Sequence, residues 1–388
     1  MKPNDNINAI FRRTASRAAL ACLSVGVVGG DWVQAGTPNV ATPIYVANAT
    51  ENVAAEPEPL GTPIDQPLGT PAKDEKEFAA PTPEAVVSSV VYPVARREVA
   101  WRDQRGARYS ALVFYPAAPP VAGSKFSVVV YSHGLGGSAE RFAYLGEAWA
   151  ARGVVTLCLR HPESDETVWR GKLRPMGELK EAYRHSWTAR DRATAIRSAL
   201  DFLATTQNAD GPLGRDLDLN RVGVAGNDLG ALAALLVAEQ LPPDNGPSLK
   251  DPRVAATLAL SPPVYCDSRR GNVVYSLIDA PLATFAGTND DGLVGDVKAE
   301  QRRTPFDAAR GVDRFHFTLQ GGDHMVYGGH RFPTKQTNDA RYQATIRSAS
   351  TLFWRAYLCG DPDAAKALRF APDSAFMTAA RSERIFEN

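Results

Sequence analysis

The sequence has no surplus of either charge: 43 Lys and Arg stand against 43 Asp and Glu in 388 residues. That argues against nucleic acid as the main partner, because neutralising phosphates takes a basic excess. Cysteine is scarce, four in the chain. Four are too few for a disulfide scaffold, and no Cys-x-x-Cys pair suggests zinc. No two histidines stand at the spacing of a His-Glu-x-x-His helix, so no metal is expected. The Gly-rich stretch 134–137 lacks the Gly-Lys-Ser/Thr ending of a phosphate cradle, so no nucleotide or other cofactor is expected either. No apolar run is long enough to span a bilayer. What is left is a globular protein, an enzyme or a binding domain.

Neutrality is an average over unlike parts. Residues 1–90 hold six Lys and Arg against ten Asp and Glu. Arg12, Arg13 and Arg17 precede the apolar run 18–30 and the small-residue site Val33-Gln34-Ala35. That is the order of a secretory signal peptide. Residues 1–35 are therefore expected to direct export to the periplasm, the medium or the cell surface, with no transmembrane span left after cleavage. Thr14-Ala15-Ser16 after the arginine pair favours the general secretory route over the twin-arginine route. Export would leave Cys158, Cys266 and Cys359 in an oxidising compartment, and nothing selects a pair among them. Residues 36–85 hold nine prolines, two aromatics, and eight acids against two bases. Such a stretch buries too little apolar surface to offset its ordering entropy, so 36–90 is expected to be a disordered acidic linker.

Regular patterns begin near residue 91 and continue to about 372, with 373–388 expected as a tail. Residues 94–101 and 109–115 alternate apolar and polar side chains around Gln104-Arg105-Gly106, which predicts an antiparallel hairpin. Residues 126–132, 154–159, 222–225, 255–260 and 281–286 are apolar runs of strand length. Helical patterns lie over 141–152, 186–205, 229–239 and 342–358. Strands alternating with helices predict the α/β class, with a mostly parallel sheet covered on both faces.

Open sheets of this kind bind ligands at the carboxyl ends of their strands, so those turns carry the functional reading. The strand at 221–225 runs into Gly226-Asn227-Asp228-Leu229-Gly230 and straight into a helix, the spacing of a nucleophile elbow. The strand at 126–132 ends in His133-Gly134-Leu135-Gly136-Gly137. That loop occupies the place that supplies one oxyanion-binding N–H, assigned to Leu135, with the N–H of Leu229 as the second donor. The strand at 281–286 leads to Asn289-Asp290-Asp291, and the segment 315–319 leads to Asp323-His324-Met325. The order Asp228, Asp290, His324 matches nucleophile, acid and base. Asp291 competes with Asp290, and either also suits an ordinary turn. His133 is expected to brace its loop and His161 to shape a turn, while His316 is read as structural or surface. His324 is preferred to these and to His185 and His330. Trp149, Trp169 and Trp187 suit packing better than a pocket.

With these motifs on Tyr131–Ser138, Arg160–Ser164, Arg221–Gly226, Asp323–Gly329 and Phe353–Leu358, the stretch from about 92 to 370 resembles bacterial α/β-hydrolases of the platelet-activating-factor acetylhydrolase and dienelactone-hydrolase-like group. The resemblance implies an α/β-hydrolase fold without a large cap domain. It also implies hydrolysis of short-acyl or lipid-like esters, hence a small-molecule partner. It departs at one position: the group has serine where this chain has Asp228.

That departure divides the functional reading. Serine needs a base to attack, whereas aspartate, with an ordinary pKa of about 3.9, is already ionised. Attack on an ester carbonyl by a carboxylate gives an anhydride, and attack on saturated carbon gives an alkyl ester. The second route is that of haloalkane dehalogenases and epoxide hydrolases, which Gly-x-Asp-x-Gly also resembles. Against it stand the short segment 262–280 between consecutive strands, too short for a cap, and Leu229 in place of tryptophan. The rival from another class is a catalytically degenerate binding or scaffold protein. In that reading Asp228 and Asp290 both flank His324 and hold it as the imidazolium.

Overall fold

A computed structural model describes residues 90–185, 188–211, 213–242, 246–264, 271–295, 297–329, 338–370 and 377–381. The expected signal peptide and linker lie outside the described residues, as do Trp187, Cys266 and His330. All described residues belong to the second of two units into which contacts divide the chain, Pro43–Asn388.

Strand β1 (Val94–Arg102) pairs antiparallel with β2 (Arg108–Pro116) along its whole length. The turn between them is closed by the Asp103 carboxylate, which accepts the N–H groups of Arg105 and Ala107 at 2.9 and 2.8 Å. Such a short acceptor folding back on its own backbone is why aspartate starts turns. Strands β3 (Phe126–Ser132) and β4 (Val154–Leu159) are buried at every residue, as valine-rich runs are when both sheet faces are covered. The sheet is completed by β5 (Leu217–Asn227), β6 (Val254–Leu260), β7 (Leu282–Asn289), β8 (Arg314–Asp323) and β9 (Met377–Arg381).

The nine strands lie in the order β1-β2-β4-β3-β5-β6-β7-β8-β9. From β4 to β8 every pairing is parallel, and the joins to β2 and β9 are antiparallel. The chain is therefore α/β, with a mostly parallel sheet. Residues 373–388, expected as a tail, supply β9, which pairs with β8 from Phe315↔Arg381 to Leu319↔Met377. Five residues of weak alternation were too few to read as a strand.

Side chains alternate across a strand, so each strand feeds two cores. Leu112, Phe114, Val129 and Tyr131 join Trp149 of α1 (Ala143–Ala150) and Phe353 and Trp354 of α6 (Asp339–Tyr357) on one face. Ala111, Val113, Val128 and Val130 join Ile196 and Leu200 of α3 (Thr188–Thr206) and Leu232 and Leu236 of α4 (Leu229–Val237) on the other. Two buried tryptophans place their indole N–H on serines of the covering helices, Trp149 on Ser350 and Trp101 on Ser198, both at 2.9 Å. Three helices went unread in the sequence: α2 (Pro175–His185), α5 (Thr304–Ala308) and α7 (Pro362–Phe370). Among the described residues no helix is long and apolar enough to cross a membrane.

Strand β3 has β4 on one side and β5 on the other. Connections leaving such a point go to opposite sides, and a crevice opens at the carboxyl ends. Ser132 and Gly226, near the ends of β3 and β5, are register partners there.

Candidate active site

The elbow stands on that crevice. Asp228 lies between β5 and α4 at φ 50 and ψ −120. A non-glycine residue in such a sparsely populated region holds about 1–3 kcal/mol of strain, so the surrounding packing must enforce it. It does. A Cβ on Gly226 would lie 2.2 Å from the Gly230 carbonyl carbon, and one on Gly230 would lie 1.9 Å from the Ser132 carbonyl oxygen. Strand and helix backbones touch, and both glycines are needed for that contact. The Asp228 N–H donates to the Leu260 carbonyl at 3.0 Å, tying the elbow to β6. The Asp228 side chain makes no capping bond to α4. The N–H of Leu229, first residue of that helix, is one that a helix leaves without an internal acceptor. Leu229 itself is buried.

The neighbouring loop, 133–137, is fastened from below by a buried cation. Arg192 donates to Ser132 Oγ at 3.2 Å, to Ser164 Oγ at 2.8 Å and to the His133 carbonyl. Burial lowers its pKa to about 10, still far above neutrality, so it carries its charge. His161 Nε2 lies 2.9 Å from Ser132 Oγ, and His133 Nδ1 lies 2.8 Å from the Gly134 carbonyl. Burial, then the Arg192 charge, pushes the His133 pKa down to about 3. A neutral His133 donates Nδ1–H to that carbonyl and braces the loop. Burial likewise keeps His161 neutral, and it braces the same loop through Ser132. The loop's outer side is tied by the Gly136 N–H to the Ser164 carbonyl at 2.9 Å and by Trp169 Nε1 to the Gly136 carbonyl at 2.8 Å. So held, the Leu135 N–H donates to Asp228 Oδ2 at 3.3 Å.

His324 follows β8 and meets a cluster at the ends of β6 and β7. Its Nδ1 lies 3.0 Å from Asp290 Oδ1, 2.9 Å from Ser261 Oγ and 3.3 Å from Arg302 Nη2. Asp290 is wholly buried and accepts the Ser261 hydroxyl at 2.9 Å. Arg302, on the 3-10 turn Ala299–Arg303, places Nε 3.1 Å from Asp290 Oδ1, with side-chain exposures of 1% and 0%. Its Nε also donates to the Asp290 carbonyl at 2.6 Å, and its Nη1 to the carbonyls of Ser261 and Pro262 at 2.8 and 3.2 Å. A carboxylate paired with a guanidinium stays an acceptor, which favours the His324 tautomer with hydrogen on Nδ1 and the lone pair on Nε2. Nε2 has no hydrogen-bond partner among the described residues. Asp291, the competing acid, is exposed and faces away, bonded to Lys298 at 2.8 Å. That bond holds its pKa below the usual carboxylate range.

These two halves open on one cavity of about 440 Å³, lined by Leu135, Asp228, Arg302 and His324 among others. Its apolar wall comes from α2, through Met176 and Leu179, and from the β7–β8 connection, through Leu293, Val294 and Val297. Trp169 lines it too, whereas Trp149 is fully buried in the core. Within the cavity no hydrogen bond or ion pair of 4.0 Å or less joins Asp228 to His324. Of the two carboxylates expected beside His324, Asp290 alone is bonded to it. Asp228 is turned to the Leu135 amide, and the second charge beside the ring is the Arg302 cation. No three His, Cys, Asp or Glu side chains gather as a metal site among the described residues.

Ser261 and Arg302 were not read from the sequence. Ser261 was reachable, since it directly follows the apolar run 255–260 and strand ends are where sites form. It too is a non-glycine residue at positive φ, 49°. Arg302 had no such mark, standing in an ordinary polar run. His316, read as structural or surface, is buried and lies 2.8 Å from Thr284 Oγ1 through Nδ1.

Compared with protein-family models and with curated proteins, the chain matches none.

Proposed function

We propose that the protein is an α/β-hydrolase-fold enzyme that hydrolyses short-acyl or lipid-like esters with Asp228 as its attacking group. The strand order and the turns after β3, β5, β7 and β8 support the fold reading. One observation carries the chemical reading. An ionisable side chain on a strained elbow shares a cavity with a histidine whose Nδ1 is held by a buried carboxylate.

The lack of an Asp228–His324 bond suits a carboxylate nucleophile, which has no proton for a base to remove. Asp228 attacks the ester carbonyl carbon, the alkoxide leaves and is protonated by solvent, and an acyl-aspartyl anhydride remains. His324 Nε2 then takes a proton from water, which attacks the acyl carbon. The acid departs, the Asp228 carboxylate is restored, and His324 releases its proton to solvent, balancing the one the alkoxide took. Leu135 and Leu229 N–H groups stabilise the oxyanion of each addition. The apolar wall of Met176, Leu179, Leu293 and Val294 suits an acyl or alkyl chain. Export through residues 1–35 belongs to the same proposal.

A second reading, a catalytically silent binding protein, is favoured by the Leu135–Asp228 bond. The amide that would hold an oxyanion already holds a carboxylate oxygen. A panel of short-chain aryl esters and haloalkanes separates the two. Ester turnover by the wild type that vanishes in Asp228→Ala and His324→Ala supports the enzyme. No turnover by the wild type, with ester hydrolysis gained in Asp228→Ser, supports the silent protein. Turnover of haloalkanes alone would point to attack at saturated carbon and sink the ester assignment.

A further inference from the structure

The rim of the cavity carries side chains that take no part in the bond-making steps, although Met176 and Leu293 among them also belong to the apolar wall. Leu173, in the loop before α2, is 102% exposed, and Met176 and Leu293 are each 45% exposed. Met176 and Leu293 line the cavity from opposite connections, and Pro175, two residues after Leu173, lines it as well. Met176 and Leu293 therefore stand partly in water at one opening, and Leu173 is exposed two residues before Pro175, which lines it. Between and beside them are Lys172, Arg174 and Lys180, all exposed. None of these three forms an ion pair among the described residues, whereas their neighbours Arg170 and Arg184 are bonded to Glu166 and Glu181. Glu178 is the acid placed among them on α2.

We propose that this rim docks on an anionic lipid surface. Leu173, Met176 and Leu293 enter the boundary between headgroups and acyl chains, and Lys172, Arg174 and Lys180 meet the headgroup phosphates. Apolar side chains flanked by unpaired cations are the composition of an interfacial anchor. Lysine and arginine stems follow apolar neighbours inward while their charges stay at the headgroups. A soluble polyanion satisfies the cations but leaves Leu173 in water. Docked this way, the cavity faces the bilayer, and a lipid-like substrate enters without crossing water. The docking rests on the surface alone, so its failure would leave the hydrolase proposal standing.

The test is co-sedimentation of the full chain with phosphatidylcholine vesicles, with or without phosphatidylglycerol, at near-physiological salt. Binding is expected only with the anionic lipid. Each cation near such a surface contributes about fivefold in affinity. The triple variant Lys172→Gln, Arg174→Gln, Lys180→Gln should therefore bind on the order of 100-fold more weakly. Leu173→Ser with Met176→Ser should weaken binding by about tenfold or more through lost apolar burial. Both sets are exposed, so an unchanged thermal melt confirms folding in each. Failure of the wild type to bind, or equal binding to neutral vesicles, overturns the proposal. So does binding that neither variant changes, which would put the anchor elsewhere, as on the apolar run 18–30. If the serine variant holds dextran sulfate and vesicles as tightly as the wild type does, the rim is a polyanion site instead.

Discussion

Replacing Arg302 by methionine tests whether the buried cation is what allows Asp290 to stand charged behind His324. Arg302 and Asp290 are 1% and 0% exposed in their side chains, so solvent screening is minimal. The substitution leaves the carboxylate with the Ser261 hydroxyl and His324 Nδ1 as neighbours but with no counter-charge. It also removes the donor to the carbonyls of Asp290, Ser261 and Pro262. Breaking one partner of a buried pair costs about 3–5 kcal/mol. At a urea slope of about 3 kcal/mol per molar, the midpoint falls by about 1–1.7 M. Asp290→Asn strands the guanidinium instead and should cost a similar amount. The double variant strands neither, so its loss should be no greater than that of one single change, about 3–5 kcal/mol, rather than their sum. Urea titrations followed by circular dichroism and tryptophan fluorescence measure all three. Single losses under about 1 kcal/mol, or a double loss equal to the sum within about 0.5 kcal/mol, would refute the pairing argument.

Two further outcomes follow from the backbone and from burial. Asp228→Gly and Asp228→Ala both delete the carboxylate, but only glycine accepts φ 50 without strain. The glycine variant should be the more stable by about 1 kcal/mol, and an alanine variant of equal or higher midpoint would show the elbow to be unstrained. His316 is buried, and burial, with a smaller effect of Arg303, lowers its pKa from 6.5 to about 3. The folded state therefore binds its proton less readily than the unfolded chain. Its stabilising contribution is complete above pH 6.5 and is lost as pH falls from there toward 3. At pH 4.5 about 2–3 kcal/mol should be gone, and His316→Asn should flatten the pH dependence by that amount. A variant with the wild-type slope between pH 7 and pH 4.5 would contradict it.

Much of this was legible because it rests on local pattern. Apolar runs marked β3, β4 and β6 to within one residue, and the start of β7 likewise, since a stretch buried on both faces has few polar positions to blur its ends. Strand β7 continues three residues past its run, through exposed Thr288 and Asn289. Gly226 and Gly230 announced the elbow because backbone contact leaves no room for a side chain. What escaped was set by tertiary partners. Helix α2 carries its apolar residues among charges and packs on a cavity rather than a core, so its pattern is diluted. The role of Arg302 exists only because the 3-10 turn swings it beneath Asp290. The side to which the Asp228 carboxylate turns depends on the Leu135 amide, far away in sequence and adjacent only across β3 and β5.

The pairing of β9 with β8 has a consequence for biosynthesis. Strands β1 to β4 come from one contiguous stretch and can assemble as it emerges. Strand β8, which leads directly to His324, gains its outer neighbour only when residues 377–381 have been made. Until then its edge is open, a row of unpaired amides and carbonyls able to recruit another chain. A protein shortened by its last dozen residues would keep every side chain of the candidate site yet leave that edge permanently bare. Its failure would be aggregation of newly made chains, not altered chemistry.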